Sequence, residues 1–109
     1  MRPVRVTVTG VDVSAPIPID QYLNPTNIGL GVDILTGTAT YTVEHTFDDV
    51  FDENFNPATA TWFPHPTLQG QVADADGNYA FPPTAVRLNV TASSGGDVRL
   101  NLIQAGAID

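Results

Sequence analysis

Ala85-Val86-Arg87-Leu88-Asn89-Val90-Thr91-Ala92, then Ser93-Ser94-Gly95-Gly96, then Asp97-Val98-Arg99-Leu100-Asn101-Leu102-Ile103 is the stretch whose reading decides the fold. Val86, Leu88, Val90 and Ala92 share one parity, and Val98, Leu100 and Leu102 share another run of it. Period two over two such runs is the signature of strands with one buried face. Only an even-sum pairing puts both apolar rows on the same side of a sheet. A three-residue loop, Ser93-Ser94-Gly95, meets that condition and places a glycine where a left-handed residue is wanted. The spacing therefore predicts a hairpin that pairs Val90 with Val98 and Leu88 with Leu100. Its outer face would pair Asn89 with Arg99 and Arg87 with Asn101.

The same period recurs upstream. Val4, Val6 and Val8 alternate with Arg5, Thr7 and Thr9 before Gly10 interrupts. Ala15-Pro16-Ile17-Pro18-Ile19 lacks the donors of a central strand and reads as an edge or crossover segment. Ile28 to Leu35 reads as a glycine-softened strand after the turn cluster Asn24-Pro25-Thr26-Asn27, and Thr36-Gly37 marks a tight turn into Ala39–Phe47. That strand would carry Tyr41, Val43, His45 and Phe47 on one side. Thr59–Phe63 regains strand character, and Asp74-Ala75-Asp76-Gly77-Asn78 reads as a turn held by side-chain-to-backbone bonds. No helical period competes. About seven to eight short strands, with turn residues between them, predict an all-β fold: one antiparallel β-sandwich or jelly-roll-like domain. It would span 1–109, with a short N-terminal arm and an acidic loop at about 48–58.

Composition agrees with one small globular domain. The chain has 109 residues, 42% of them hydrophobic, and carries twelve Asp and Glu against four Arg, for a net charge of −8. A surface of that sign repels phosphate backbones and anionic lipid, so no nucleic-acid or membrane partner is expected. No apolar run approaches a spanning helix, and the alternating N-terminal stretch is unlike a secretion signal. The absence of cysteine excludes a disulfide scaffold, a thiolate nucleophile and a Cys-based metal site.

Chemistry-bearing motifs are few. Glu44, Asp48, Asp49, Asp52 and Glu53 form an acidic cluster whose spacing matches no ordered calcium loop. In it, Phe51 and Phe55 could face a basic partner or fold down onto the domain. Asp74, Asp76 and Asn78 alternate as ligands would, but Gly77 and Ala85 stand wrong for a calcium loop. His45 alternates with core residues and His65 lies between Pro64 and Pro66, while Ser14, Ser93 and Ser94 lack any nucleophile-elbow glycines. No enzyme and no cofactor are expected. Trp62, Phe63 and Tyr79 could build a platform for a sugar, or Trp62 could simply anchor packing. Asn89-Val90-Thr91 fits a glycosylation acceptor but sits mid-strand, where the match reads as chance.

Several runs together resemble a known family. They are Val6-Thr7-Val8-Thr9-Gly10-Val11, Ile17-Pro18-Ile19-Asp20, Asn27-Ile28-Gly29-Leu30-Gly31-Val32 and Tyr41-Thr42-Val43-Glu44-His45-Thr46-Phe47-Asp48-Asp49, with Ala75-Asp76-Gly77-Asn78-Tyr79-Ala80-Phe81-Pro82 and the strand 85–92. From about residue 4 to about 104 the chain is similar to short virion structural proteins of tailed bacteriophages and prophages. The resemblance implies a capsid decoration or cement protein, made in the bacterial host cytoplasm and carried on the virion. Its partner would be the major capsid protein or another virion protein, and a homo-oligomer is expected. Contact residues would be Arg2 and Arg5 in the arm, Ile17 and Ile19 in the proline-rich segment, Phe51 and Phe55 in the acidic loop, and Trp62. The rivals are a head–tail junction or tail accessory protein, a fibre-attachment piece, and a small carbohydrate-recognition module.

Overall fold

In the computed structural model, residues 4–19, 27–49, 52–79 and 83–105 are described. Eight strands run β1 Val4–Thr9, β2 Ile17–Pro18, β3 Asn27–Ile34, β4 Ala39–Thr46, β5 Phe63–Pro64, β6 Ala75–Tyr79, β7 Ala85–Ser93 and β8 Asp97–Ala105. They form two four-stranded antiparallel sheets, ordered β1-β8-β3-β6 and β2-β7-β4-β5. The sequence thus folds into the all-β sandwich that its alternation predicts.

The pairings follow one rule. β1 pairs β8, β2 pairs β7, β3 pairs β6 and β4 pairs β5, as if the chain were a single long hairpin with its tip between β4 and β5. Rolling that hairpin adds the pairings β3–β8 and β4–β7 and closes a jelly roll.

This topology corrects the predicted hairpin. β7 and β8 are consecutive but lie in opposite sheets, so Val90 and Leu88 oppose Tyr41 and Val43 of β4, while Val98 and Leu100 oppose Ile34 and Val32 of β3. The parity condition was sound but not selective. Two sheets stacked face to face turn both apolar rows to the common core as well as one sheet does. The short link 94–96 crosses the ~10 Å between sheets. Gly95 is left-handed there (φ 95°), and a Cβ on Gly96 would run into the Thr36 carbonyl. The link is zipped to the 35–38 corner, where Ser94 N donates to Thr38 O at 2.9 Å and Leu35 N to Asp97 O at 2.9 Å. Each strand's arginine then finds an acid within its own sheet. Arg87 Nε lies 2.7 Å from Glu44 Oε1, and Arg99 lies 3.1 Å from Asp33.

Three other expectations change. Residues 75–79 are not a turn but β6, pairing Gly31 with Asp76 and Leu30 with Gly77. Asp74 still makes a side-chain bond, accepting from Ile34 N at 2.8 Å, but the bond starts an edge strand. Thr59–Phe63 is strand only at Phe63, because the Thr59 and Ala60 amides both turn back to Asn56 O. In β4 the alternation holds through His45 and then slips: Thr46 is buried and Phe47 is exposed. The core is a single apolar cluster in which Tyr41, Tyr79, Ile28, Val43, Leu88 and Leu100 are fully buried.

Candidate functional site

Polar chemistry is concentrated along the side of β4 that faces away from β7. Residues 63–71 are mostly not strand, yet they run along that edge and seal it. Tyr41 and Gln71 exchange backbone bonds, Val43 N donates to Leu68 O at 2.8 Å, and His65 N donates to Val43 O at 2.8 Å. Side chains pin the segment from inside. His65 Nδ1 accepts from the amides of Thr67 (3.1 Å) and Leu68 (3.2 Å). An amide can only donate, so Nδ1 is bare and Nε2 carries the proton it gives to Asn78 O at 2.8 Å. One imidazole therefore ties the segment to β6 in the opposite sheet. Gly77 makes room for this clasp, since a Cβ there would meet Leu68 Cδ1 at 3.1 Å and His65 Cε1 at 3.2 Å.

Tyr79 stands between two histidines. Its ring is edge-on to His45 (4.9 Å) and to His65 (4.8 Å), and its hydroxyl lies 2.9 Å from His45 Nδ1. Burial pushes His45 below its ordinary value of 6.5, with nearby His65 adding to the shift. Burial raises the Tyr79 hydroxyl, and the Glu44 carboxylate raises it further. Tyr41 is pushed up to about 12, mainly by burial and then by Asp74 and Asp33, while its hydroxyl donates to Ala73 O at 2.6 Å. These groups are held neutral and serve as struts. Phe63 and Phe47 lie outside, 46% and 53% exposed, with Phe63 stacked on His45 at 5.9 Å.

The outer face of the same sheet carries a second cluster. The Arg87 guanidinium lies 4.1 Å from the Trp62 ring centre and bonds Glu44, and the indole N–H donates to Pro57 O at 3.0 Å. Trp62 thereby fastens the end of the acidic loop to the sheet. Beyond it, Asp48, Asp49, Asp52, Asn54, Phe55, Asn56, Thr59 and Ala60 line a shallow depression of about 210 Å³. Its carboxylates mostly serve the loop itself: Asp48 Oδ2 accepts from Thr61 N and Asp52 Oδ1 from Asn54 N, each at 2.9 Å.

The predicted contact residues are thus scattered. Arg2 and Phe51 lie outside the described residues. Arg5 is exposed on the outer face of the first sheet, whereas Trp62 sits over the outer face of the second. Phe55 is half-buried beside the depression. Ile17 and Ile19 are core residues, so they are not surface contacts: the Pro-Ile-Pro-Ile rhythm places both isoleucines inward beside β7. The aromatic platform does not assemble either. Tyr79 is fully buried, and one face of Trp62 is covered by Arg87. The His65 clasp and the Arg87–Glu44–Trp62 cluster were not foreseen. A histidine between two prolines was the available signal for the first.

No protein-family profile matches the chain, and no curated protein does. Among solved structures it is similar to a chain described under the words "Bacillus endospore appendages form a novel family of disulfide-linked pili". That likeness has a TM-score of 0.50 and 16% identity, covering 98% of this chain and 87% of the other. At that identity the likeness is one of fold.

Proposed function

We propose that this protein is a non-enzymatic structural subunit of a bacteriophage particle, a decoration or cement protein seated on the outer surface of the capsid lattice. The observation that carries this reading is a jelly roll whose interior is filled by apolar side chains and whose buried histidines and tyrosines brace the scaffold. Such a domain offers its surface rather than a cleft. Capsid proteins use the same architecture, a fold-level analogy that supports the reading alongside the family resemblance. The net charge of −8 suits a place outside a packaged genome. Small contacts repeated over a lattice gain by avidity what each lacks alone.

The fold neighbour favours a second reading, a subunit of a tail or other surface appendage. The neighbour is described among disulfide-linked pili; this chain has no cysteine, so such an assembly would rest on non-covalent contacts. Quantitative mass spectrometry of purified particles separates the two. About one copy, or about one third of a copy, per major capsid subunit supports decoration. About a dozen copies or fewer per particle moves the protein to the tail or portal junction. Absence from the particle overturns the capsid and the tail readings alike.

A further inference from the structure

Two stacked sheets have four outer strands, and three of them are blunted in recognisable ways. Outside β7, residues 12–18 run along its edge, but β2 is two residues long and lies between Pro16 and the proline at its own second position, Pro18. β5 is equally short, contains Pro64 and leads into Pro66. β6 is only five residues long with Asp76 on its outward face, and its Asn78 carbonyl is taken by the His65 ring. β1 is blunted less: Pro3 precedes it, and its one charge, Arg5, faces outward. It runs six residues in unbroken register with β8, with no proline, bulge or inward charge, and no backbone partner lies on its outer edge among the described residues. That leaves about 20 Å of ordered edge open for pairing.

The core behind this edge is also unfinished. Val4 and Val6 are only half-buried, whereas Leu102 and Leu100, their partners on β8, are fully buried. Beyond the strand, Val11 is 65% exposed and Val13 41%. One more strand against β1 would cover Val4 and Val6.

The side chains of β1 select its occupant. We propose that β1 is a homotypic docking edge, on which two copies of this chain pair their β1 strands antiparallel about a two-fold axis through Thr7. The two four-stranded sheets become one sheet of eight. A two-fold pairing that keeps the valines on the core side has its axis through a residue, because the paired positions must then have an even sum. With the axis through Arg5, the two arginines face each other. With the axis through Val6, Arg5 faces Thr7 of the other copy, whose neighbour on β8 is Arg99. With the axis through Thr7, Arg5 faces Thr9 of the other copy. Thr9 pairs with Asp97 and donates its hydroxyl to that carboxylate at 2.9 Å. Of these three registers, the last alone brings each arginine toward an acid. It also sets Val6 against Val8 and Thr7 against Thr7, both favourable cross-strand pairs. The inference concerns the chain alone and does not depend on where the protein acts.

Sedimentation equilibrium of the full chain tests it, and a concentration-dependent dimer is expected. Thr7→Lys puts two like charges opposite each other on the axis. It should weaken the dimer at least about tenfold and leave the circular dichroism of the dilute protein unchanged, since Thr7 is exposed. Arg5→Glu should also weaken the dimer, and adding Asp97→Arg should restore it. Because the chain has no cysteine of its own, Thr7→Cys supplies a lone thiol that should cross-link rapidly under mild oxidation. Arg5→Cys should not, since the two positions stand about 14 Å apart along the paired strands. A monomer at concentrations up to about 1 mM would overturn the proposal. So would a dimer indifferent to Thr7→Lys, or one in which Arg5→Cys links as fast as Thr7→Cys.

Discussion

The two margins of this sandwich end their sheets in opposite ways. Along β4, residues 63–71 are held by backbone bonds, a buried leucine, two histidines and two tyrosines, with little regular strand of their own. Along β1, six regular strand residues have no backbone partner on their outer edge among the described residues, and half-buried valines lie behind them. The difference teaches that regularity and closure are separate properties. A loop segment closes an edge when its buried polar groups are all partnered, and a perfect strand leaves one open when nothing lies beyond it.

The largest contrast is expected from apolar truncation. Leu68 is the segment's anchor in the core and is fully buried. Leu68→Ala should cost about 2–5 kcal/mol in denaturant unfolding. Val6→Ala, on the half-buried row of β1, should cost no more than about 1 kcal/mol in the dilute protein. Equal losses would mean that the two margins are packed alike. Next comes Tyr79→Phe, which removes the hydroxyl 2.9 Å from His45 Nδ1 inside the sealed margin. The same unfolding measurement should show a loss of about 1–2 kcal/mol. No change would mean that ring packing alone holds the closure.

A pH series asks the same question without mutation. His45 is held below 6.5 in the folded protein, so the unfolded chain takes up its proton first as pH falls. Stability should be full above pH 6.5, decline below it, and stop declining from this source once folded His45 protonates. The tyrosines act at the other end. With Tyr41 raised to about 12 and Tyr79 raised as well, the unfolded chain ionises first above 10. Stability should therefore fall as pH rises past 10 toward 12, with the tyrosinate absorbance of these two residues appearing together with unfolding. A melting temperature flat across both windows would break the account of the sealed margin.

Much of this was legible in the residues, for stated reasons. The strands β1, β4, β7 and β8 could be read because each alternates cleanly over six residues or more. Their partners could not, since Val90 turns to the core opposite Tyr41 just as it would opposite Val98. Asp-Gly-Asn at 76–78 reads as a turn, but a sheet edge tolerates the same residues when a histidine takes up the free carbonyl. Ile17 and Ile19 were readable as inward by parity, but Pro16 and Pro18 are equally at home on an exposed edge. The clasp depended on residues 65, 68, 77 and 78 meeting across two sheets, which no local pattern encodes.

The smallest effects come from one chemical change made on both margins. Thr46 is fully buried, and its hydroxyl donates to Thr61 O at 2.8 Å and accepts from Asp48 N at 3.1 Å. Thr46→Val keeps the shape and strands both backbone groups, so it should cost about 1–2 kcal/mol. Thr7 has an exposed side chain on the open strand. Thr7→Val, measured in the dilute protein, should change stability by no more than about 0.5 kcal/mol, because water replaces whatever the hydroxyl loses. Both variants share the gain in β-propensity that valine brings. The difference between them therefore isolates the hydrogen bonds that close β4. A difference near zero would mean that these bonds are no better than bonds to water, and that packing by Leu68 and Tyr79 alone seals that side.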